Sequence, residues 1–399
     1  MGHGRKLGGA VGKAQPLFKP SNLRQEHGLT KGRPWPGAAE RLAVGGDFDP
    51  PTPPSNPSNP RIEFSMKTSL LLAAAVATLS APELWAAEGK KVVVVTVTTG
   101  FRHSSIGTAE KVLQKLADES KAFEIVGYVR QPDVEVPKKP AKPRPLKPDA
   151  DDKAKASFAK QMENYEKQMA AWTPEMESQL KAAQAKLDEG IRAALTRLAP
   201  DRLKADKVDG VIFANTTGNL PLPDPEGFIR WIGEGHAFMA MHSASDTLHG
   251  FPGYIDMLQG EFLTHGAQVP ADLVAGDQAH PANGGLGETF DLKQEEMYQI
   301  KSQDRSKVRS LWFLKHHPNV PEQAGFFPVS WCRKSGTGNV FYTSLGHRED
   351  VWDDSAELPN RVNPPEVSRK YQAHILGGIK WALGLVPGSA EPNPTVGPQ

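Results

Sequence analysis

The sequence predicts an α/β fold: a doubly wound, mainly parallel sheet sandwiched by helices. Two observations carry this. Short apolar, β-branched runs alternate with amphipathic helical stretches through the first half of the folded region, the pattern of βαβ units. In addition, three such runs each deliver a histidine. Lys91-Val-Val-Val-Val-Thr-Val97 leads to His103, Ala237-Phe-Met-Ala-Met241 to His242, and Val340-Phe-Tyr-Thr-Ser-Leu345 to His347. Ligands of open α/β sheets bind outside the carboxyl ends of the strands, so these imidazoles are expected along one edge.

The elements follow in order. After strand 91–97, Ile106, Ala109, Val112, Leu113 and Leu116 recur at helical spacing. Phe123–Val129 reads as a second strand and residues 208–214 as a third, ending in Asn215-Thr-Thr-Gly218. Asp224-Pro225-Glu226 is a helix start, with a capping carboxylate and a proline at the first helical position. That helix stops near Gly233 and Gly235, and strand 237–241 follows. From residue 268 the pattern turns to short strands, closing with a helix over 368–383 that carries Tyr371, Ile375, Ile379 and Ala382 on one face.

Residues 132–205 interrupt the series. Pro137-Lys-Lys-Pro-Ala-Lys-Pro-Arg-Pro-Leu-Lys-Pro148 must be extended. Phe158, Met162, Tyr165, Met169 and Trp172 then mark a helical stripe, continued by Met176, Leu180, Ala183, Leu187, Ile191, Ala194 and Leu198. This predicts an inserted helical hairpin, or one kinked helix, broken at Thr173-Pro174. Its stripe needs a partner, and self-association through residues 150–200 is one option.

Residues 1–65 are rich in Pro, Gly and basic residues, and carry too little apolar surface to offset ordering entropy. Met66-Lys-Thr-Ser-Leu-Leu-Leu-Ala-Ala-Ala-Val-Ala-Thr-Leu79 then reads as a signal peptide over 66–86. Met66 is therefore expected to be the true start, with 1–65 a disordered or mis-annotated leader. The α/β domain is expected over 87–388, with 389–399 as a tail, and the protein is expected to be secreted or periplasmic. A net charge of +1 offers no nucleic-acid footprint, and no membrane span follows the signal. Cys332 is the only cysteine, which excludes an internal disulfide and a cysteine metal cluster.

The position after Met241 is where several α/β enzymes place a nucleophile. Here it holds His242, and Met241-His-Ser-Ala-Ser245 is not a Gly-x-Ser-x-Gly elbow. Cys332 lies far from any elbow. What remains is acid–base or metal chemistry by His103, His242 and His347, with a divalent metal as a possible cofactor. Asp246 follows His242 by four residues, so one helical turn would set them side by side. Glu296 and Tyr298 share a face if Glu295-Glu296-Met-Tyr298 opens a strand. Glu296 and Asp246 thus join the catalytic candidates. Arg102, Asn215, Thr216, His265 and Tyr298 are the candidate substrate contacts. His316 and His317 are expected at the surface, while His236, His249 and His374 have no supporting pattern.

Gly100-Phe-Arg-His-Ser-Ser-Ile106, Asn215-Thr-Thr-Gly218, Met241-His-Ser-Ala-Ser-Asp-Thr247, Gly260-Glu-Phe-Leu-Thr-His265, His280-Pro281, Glu295-Glu-Met-Tyr298, Pro328-Val-Ser-Trp331 and Gly338-Asn-Val-Phe-Tyr-Thr-Ser-Leu-Gly-His347 occur in that order. With Ile375-Leu-Gly-Gly-Ile-Lys-Trp-Ala-Leu-Gly384, the set resembles the ThuA-like, or trehalose-utilization, family over roughly residues 90–386. The resemblance implies a fold similar to class I glutamine amidotransferases without the cysteine nucleophile. It also implies a role in disaccharide catabolism, including routes through 3-keto sugars. The expected function is histidine-based hydrolysis, elimination or isomerisation of a sugar. The alternative is a non-catalytic carbohydrate-binding or scaffolding module. Two departures stand out: the 132–205 insertion, and Gly260-Glu261 where Gly-Gly is more usual.

Overall fold

A computed structural model describes residues 89–398. The leader (1–65) and the signal-like segment (66–86) lie outside the described residues. The chain runs β1 (Lys90–Val95), α1 (Ile106–Ser120), β2 (Phe123–Val129), α2 (Asp152–Ala170), α3 (Pro174–Leu195), α4 (Pro200–Ala205), β3 (Gly210–Ala214), α5 (Pro225–Gly233) and β4 (Ala237–Met241). It continues through α6 (Pro252–Leu258), β5 (Glu261–His265), β6 (Val269–Ala275), β7 (Thr289–Glu295), β8 (Tyr298–Lys301), β9 (Arg309–His316), β10 (Ala324–Ser335), β11 (Gly338–Thr343), α7 (Glu349–Trp352) and α8 (Pro365–Ala382).

One 9-stranded sheet has the order β2-β1-β3-β4-β11-β10-β9-β6-β7, and β5 and β8 form a separate ribbon. Strands β2, β1, β3, β4 and β11 are parallel, the arrangement expected from the βαβ pattern. From β11 outward every pairing is antiparallel, so "mainly parallel" holds for only half the sheet. The reason is connection length: β10 and β11 are joined by the turn at Gly336, which is too short for a parallel crossover.

The alternation of β1 builds the core. Val92 and Val94 pack on one face with Leu113, Tyr371 and Ile375, and Val93 and Val95 pack on the other with Phe213, Phe228 and Trp231. All four valines are fully buried, each contributing about 1.5–3 kcal/mol of transfer free energy. Helices α1 and α8 therefore cover one face, and α5 and α6 the other. Asp224 caps α5 by accepting the Gly227 N–H at 2.8 Å.

The inserted segment starts as expected. Asp151 caps α2, Thr173 caps α3, and Pro174 occupies the first turn of α3. Helix α2 buries none of its residues, but α3 buries Ile191 and Leu195, followed by Leu198 and by Leu203 in α4. These side chains join the core face of Val93. The segment 132–205 is thus not wholly an insertion, because its last third is the crossover cover between β2 and β3. The described part of the tail, 389–398, is also docked: Asn393 accepts the Ser310 N–H at 2.7 Å and Arg305 donates to the Pro398 carbonyl at 2.9 Å. Among the described residues, no helix is long and apolar enough to cross a membrane.

Candidate metal and reaction centre

The carboxyl ends of β1, β3, β4 and β11 lie at one edge, and the segments that leave them are cross-tied. The Asn215 amide donates to Ser105 Oγ and to the Gly346 carbonyl, both at 2.9 Å. It adopts φ 55°, a left-handed conformation that asparagine tolerates better than most residues. The hydroxyls of Thr216 and Thr247 meet at 2.8 Å. Asn215 and Thr216, expected as substrate contacts, therefore join the strand-end loops to one another.

His242 begins a 3-10 turn, His242–Asp246, with φ 50°. A non-glycine residue there costs of order 1–3 kcal/mol, and such strain persists only where the surroundings over-determine it. Here they do. The Tyr342 hydroxyl donates to the His242 carbonyl at 2.9 Å, and Nδ1 of His242 bonds the Ser344 carbonyl at 2.8 Å. A carbonyl only accepts, so Nδ1 carries the hydrogen and Nε2 presents its lone pair.

His347 is placed by Glu295, a fully buried carboxylate at the end of β7. Glu295 accepts the backbone N–H groups of Gly346 (2.9 Å), His347 (2.7 Å) and Arg348 (3.3 Å). Burial pushes its pKa up to about 7, against the pull of His347 and these three donors. Gln268 bridges the Nε2 of His347 (2.8 Å) and Nη1 of Arg348 (2.9 Å).

These supports converge four side chains. Nε2 of His103 lies 3.2 Å from Nε2 of His242. Glu296 Oε2 is 3.7 Å from Nε2 of His242 and 3.1 Å from Nδ1 of His347. One donor atom each from His103, His242, Glu296 and His347 falls within a 4.8 Å span. The 3.1 Å contact is badly angled, so the buried Nδ1 of His347 has no hydrogen-bond partner. The remote nitrogens are engaged: Nδ1 of His103 with Ser243 Oγ at 3.3 Å, Nδ1 of His242 with Ser344, and Nε2 of His347 with Gln268. Metal-binding imidazoles are characteristically held this way. Ligands about 2.1 Å from a tetrahedral zinc-like ion stand about 3.4 Å apart; three of the separations here, 3.1, 3.2 and 3.7 Å, bracket that value, within a cluster that spans up to 4.8 Å.

Burial, then repulsion from His347, depresses His103 to about 4. His242 is lowered well below the usual imidazole value by burial, then by repulsion from His103 and His347. For His347 burial acts downward, but Glu296 and Glu295 outweigh it and the pKa rises. Tyr298 places its hydroxyl 3.0 Å from Nε2 of His242. His265 is half-exposed, with Nδ1 3.0 Å from Glu296 Oε1.

Several expectations need correction. Asp246 does not pair with His242, because the intervening turn is 3-10 rather than α and four residues overshoot one 3-10 turn. It pairs instead with His249 Nε2, whose Nδ1 meets Glu261 Oε1 at 2.9 Å. Glu296 and Tyr298 do not share a strand: β7 ends at Glu295 and β8 starts at Tyr298. Both reach His242 because the chain turns between them. Arg102 donates to the Thr96 carbonyl at 3.2 Å, on the side of Glu110. His317 is fully buried against Phe327, although its neighbour His316 is exposed. Glu295, Gln268, Ser243 and His249 escaped sequence reasoning. Only the paired Glu295-Glu296 carried a local hint.

The fold and this edge define an α/β protein with a buried three-histidine, one-carboxylate centre. Residues 91–382 match the family model described as ThuA, trehalose utilisation, and the chain belongs to that family. Solved structures similar to it include ThuA-like proteins of Bacteroides uniformis and Parabacteroides merdae. The first is 14% identical with a TM-score of 0.45, covering 75% of this chain and 94% of that one. The second is 14% identical with a TM-score of 0.46, covering 77% and 96%. A β-galactosidase of Bacillus circulans matches at 16% identity and a TM-score of 0.30, over 48% of this chain and 24% of its own. No curated protein matches the chain.

Proposed function

We propose that this ThuA-family protein acts on a sugar of the trehalose or 3-keto-disaccharide type, and that His103, His242, His347 and Glu296 hold a divalent cation at the reaction centre. The observation that carries the reading is the convergence of four donor atoms within 4.8 Å while the remote ring nitrogens are held by the protein. A bound cation of this donor class would supply Lewis-acid polarisation of a sugar carbonyl or hydroxyl. His265, half-exposed beside Glu296, is the group best placed to move a proton between bulk water and the bound sugar. Tyr298 orients its hydroxyl toward the same point. A keto group acidifies the neighbouring C–H, so one base and one electrophile suffice for elimination, isomerisation or hydrolysis.

A metal-free reading draws on a different observation. His103 and His242 are pushed toward the neutral form while His347 is pushed toward the charged form, and such divergence is how acid and base are divided between like groups. The relation to class I glutamine amidotransferases fits the strained strand-to-turn position, where His242 stands in place of a nucleophile. Export is proposed from the signal-like residues 66–86, and self-association from the stripe of α2, none of whose residues is buried.

The test is turnover of 3-keto-trehalose by the purified chain, with metal analysis. Activity and bound metal, both lost in His242→Ala, are expected. A wild-type protein that binds sugar without turning it over would make this a binding module instead.

A further inference from the structure

Phe101 is the most exposed large hydrophobic residue described, at 69%, and it belongs to neither core cluster. Its position is nevertheless fixed. The Phe101 carbonyl accepts from Thr217 Oγ1 at 2.7 Å, and the Thr99 N–H donates to the Thr217 carbonyl at 3.0 Å. A side chain at Gly100 would meet Thr217 Oγ1 at 3.1 Å, so the glycine lets the two loops close. Phe101 and His103, two residues apart, share a side. Their rings meet edge-on, with centroids 4.8 Å apart. A lone exposed aromatic is ordinary on a protein surface; what singles out Phe101 is that its loop backbone is tied to Thr217 and its ring borders His103 at the strand-end centre.

We propose that Phe101 is the platform for the second ring of a disaccharide, stacking on the C–H face of a pyranose while the first ring occupies the histidine centre. The inference rests on the sugar reading above and adds a subsite to it. The spacing supports it. The Phe101 ring lies 4.8 Å from that of His103, itself a member of the centre and 4.7 Å from His242, so a sugar ring on the platform would adjoin one held at the centre. A flat apolar face pairs with the C–H face of a pyranose and leaves its hydroxyls to water. Phe101 carries no donor or acceptor, so it selects ring shape rather than hydroxyl pattern.

The test is calorimetric titration of the full chain, its Phe101→Ala and Phe101→Trp variants, with trehalose, 3-keto-trehalose and glucose. Phe101→Ala is expected to weaken the disaccharides about five- to tenfold, the scale of one aromatic contact. Glucose affinity and bound metal should be unchanged, and Phe101→Trp should restore disaccharide binding. Equal disaccharide affinity in wild type and Phe101→Ala overturns the platform and leaves the sugar reading intact. Equal weakening of glucose overturns it too, because Phe101 would then serve the first ring. If the wild type binds none of the three sugars, the sugar reading fails and the platform falls with it.

Discussion

Two groups of buried histidines sit on opposite sides of one logic. His374, on the buried face of α8, bonds the Ala282 carbonyl through Nδ1 (2.8 Å) and the Ser330 hydroxyl through Nε2 (2.9 Å). Beside it, His280 meets the Ala282 N–H at 3.2 Å and Cys332 Sγ at 3.5 Å. Burial depresses both to about 4, the same value as His103. Burial and pKa therefore do not separate a structural imidazole from a site imidazole. The direction of the nitrogens does. In the core each ring nitrogen faces a neutral protein partner, whereas at the strand-end centre the near nitrogens face one another and a carboxylate. Such an arrangement gains when a cation enters, because it then replaces repulsion and an orphaned nitrogen with bonds.

The sharpest way to break this contrast is alanine replacement in each group. His242→Ala should reduce bound metal from about one equivalent to none, besides the stability lost with a fully buried, hydrogen-bonded ring. His374→Ala should cost about 2–4 kcal/mol of stability through lost hydrogen bonds and a cavity while metal content stays constant, so the metal readout is what separates the two. Metal analysis and denaturant unfolding on both variants check this. Identical profiles would erase the distinction.

Glu295 sharpens it from the supporting layer. Glu295→Gln keeps the shape but weakens three backbone contacts to the loop of His347. Cation affinity should fall roughly 10–100-fold, with a smaller loss of stability, both readable from metal titration and melting curves.

His249 gives the next smaller effect. Burial lowers its pKa, but Glu261 and Asp246 outweigh that and raise it above 6.5. A raised imidazole stabilises the fold fully below its unfolded value and loses that contribution as pH rises through the folded pKa. Wild type should thus exceed His249→Gln in melting temperature at pH 6, and the gap should close in alkaline buffer. A gap that widens with pH contradicts the two-carboxylate clamp.

The smallest effect belongs to α2. Replacing residues 138–180 with a short Gly/Ser linker should leave a cooperative transition, since α2 buries nothing. Extending the deletion to residue 200 removes Ile191, Leu195 and Leu198 from the core and should abolish it.

The sequence made the parallel half legible because its inner strands β1, β3, β4 and β11 are largely buried and read as apolar runs, and because Asp224-Pro225 announces α5. The antiparallel half was obscured by register shifts in β10, one of them beside Pro328. Of the site, the three histidines were legible as strand-end residues. Glu295 was not, because it serves backbone N–H groups some 51 residues away, and backbone donors have no sequence signature. Asp246 was misplaced by assuming an α turn where a 3-10 turn forms. His317 was misplaced because β9 ends at His316 and the residue just past it turns into the core against Phe327.

The central claim is that the strand-end histidines and Glu296 form one cation centre. Cobalt(II) titration of the full chain, followed by visible absorption, tests it most directly. The account predicts a single saturable site with the intense bands of four-coordinate cobalt, absent from the His103→Ala, His242→Ala and His347→Ala variants. A spectrum that stays that of the hydrated ion, or binding that survives all three substitutions, would contradict it.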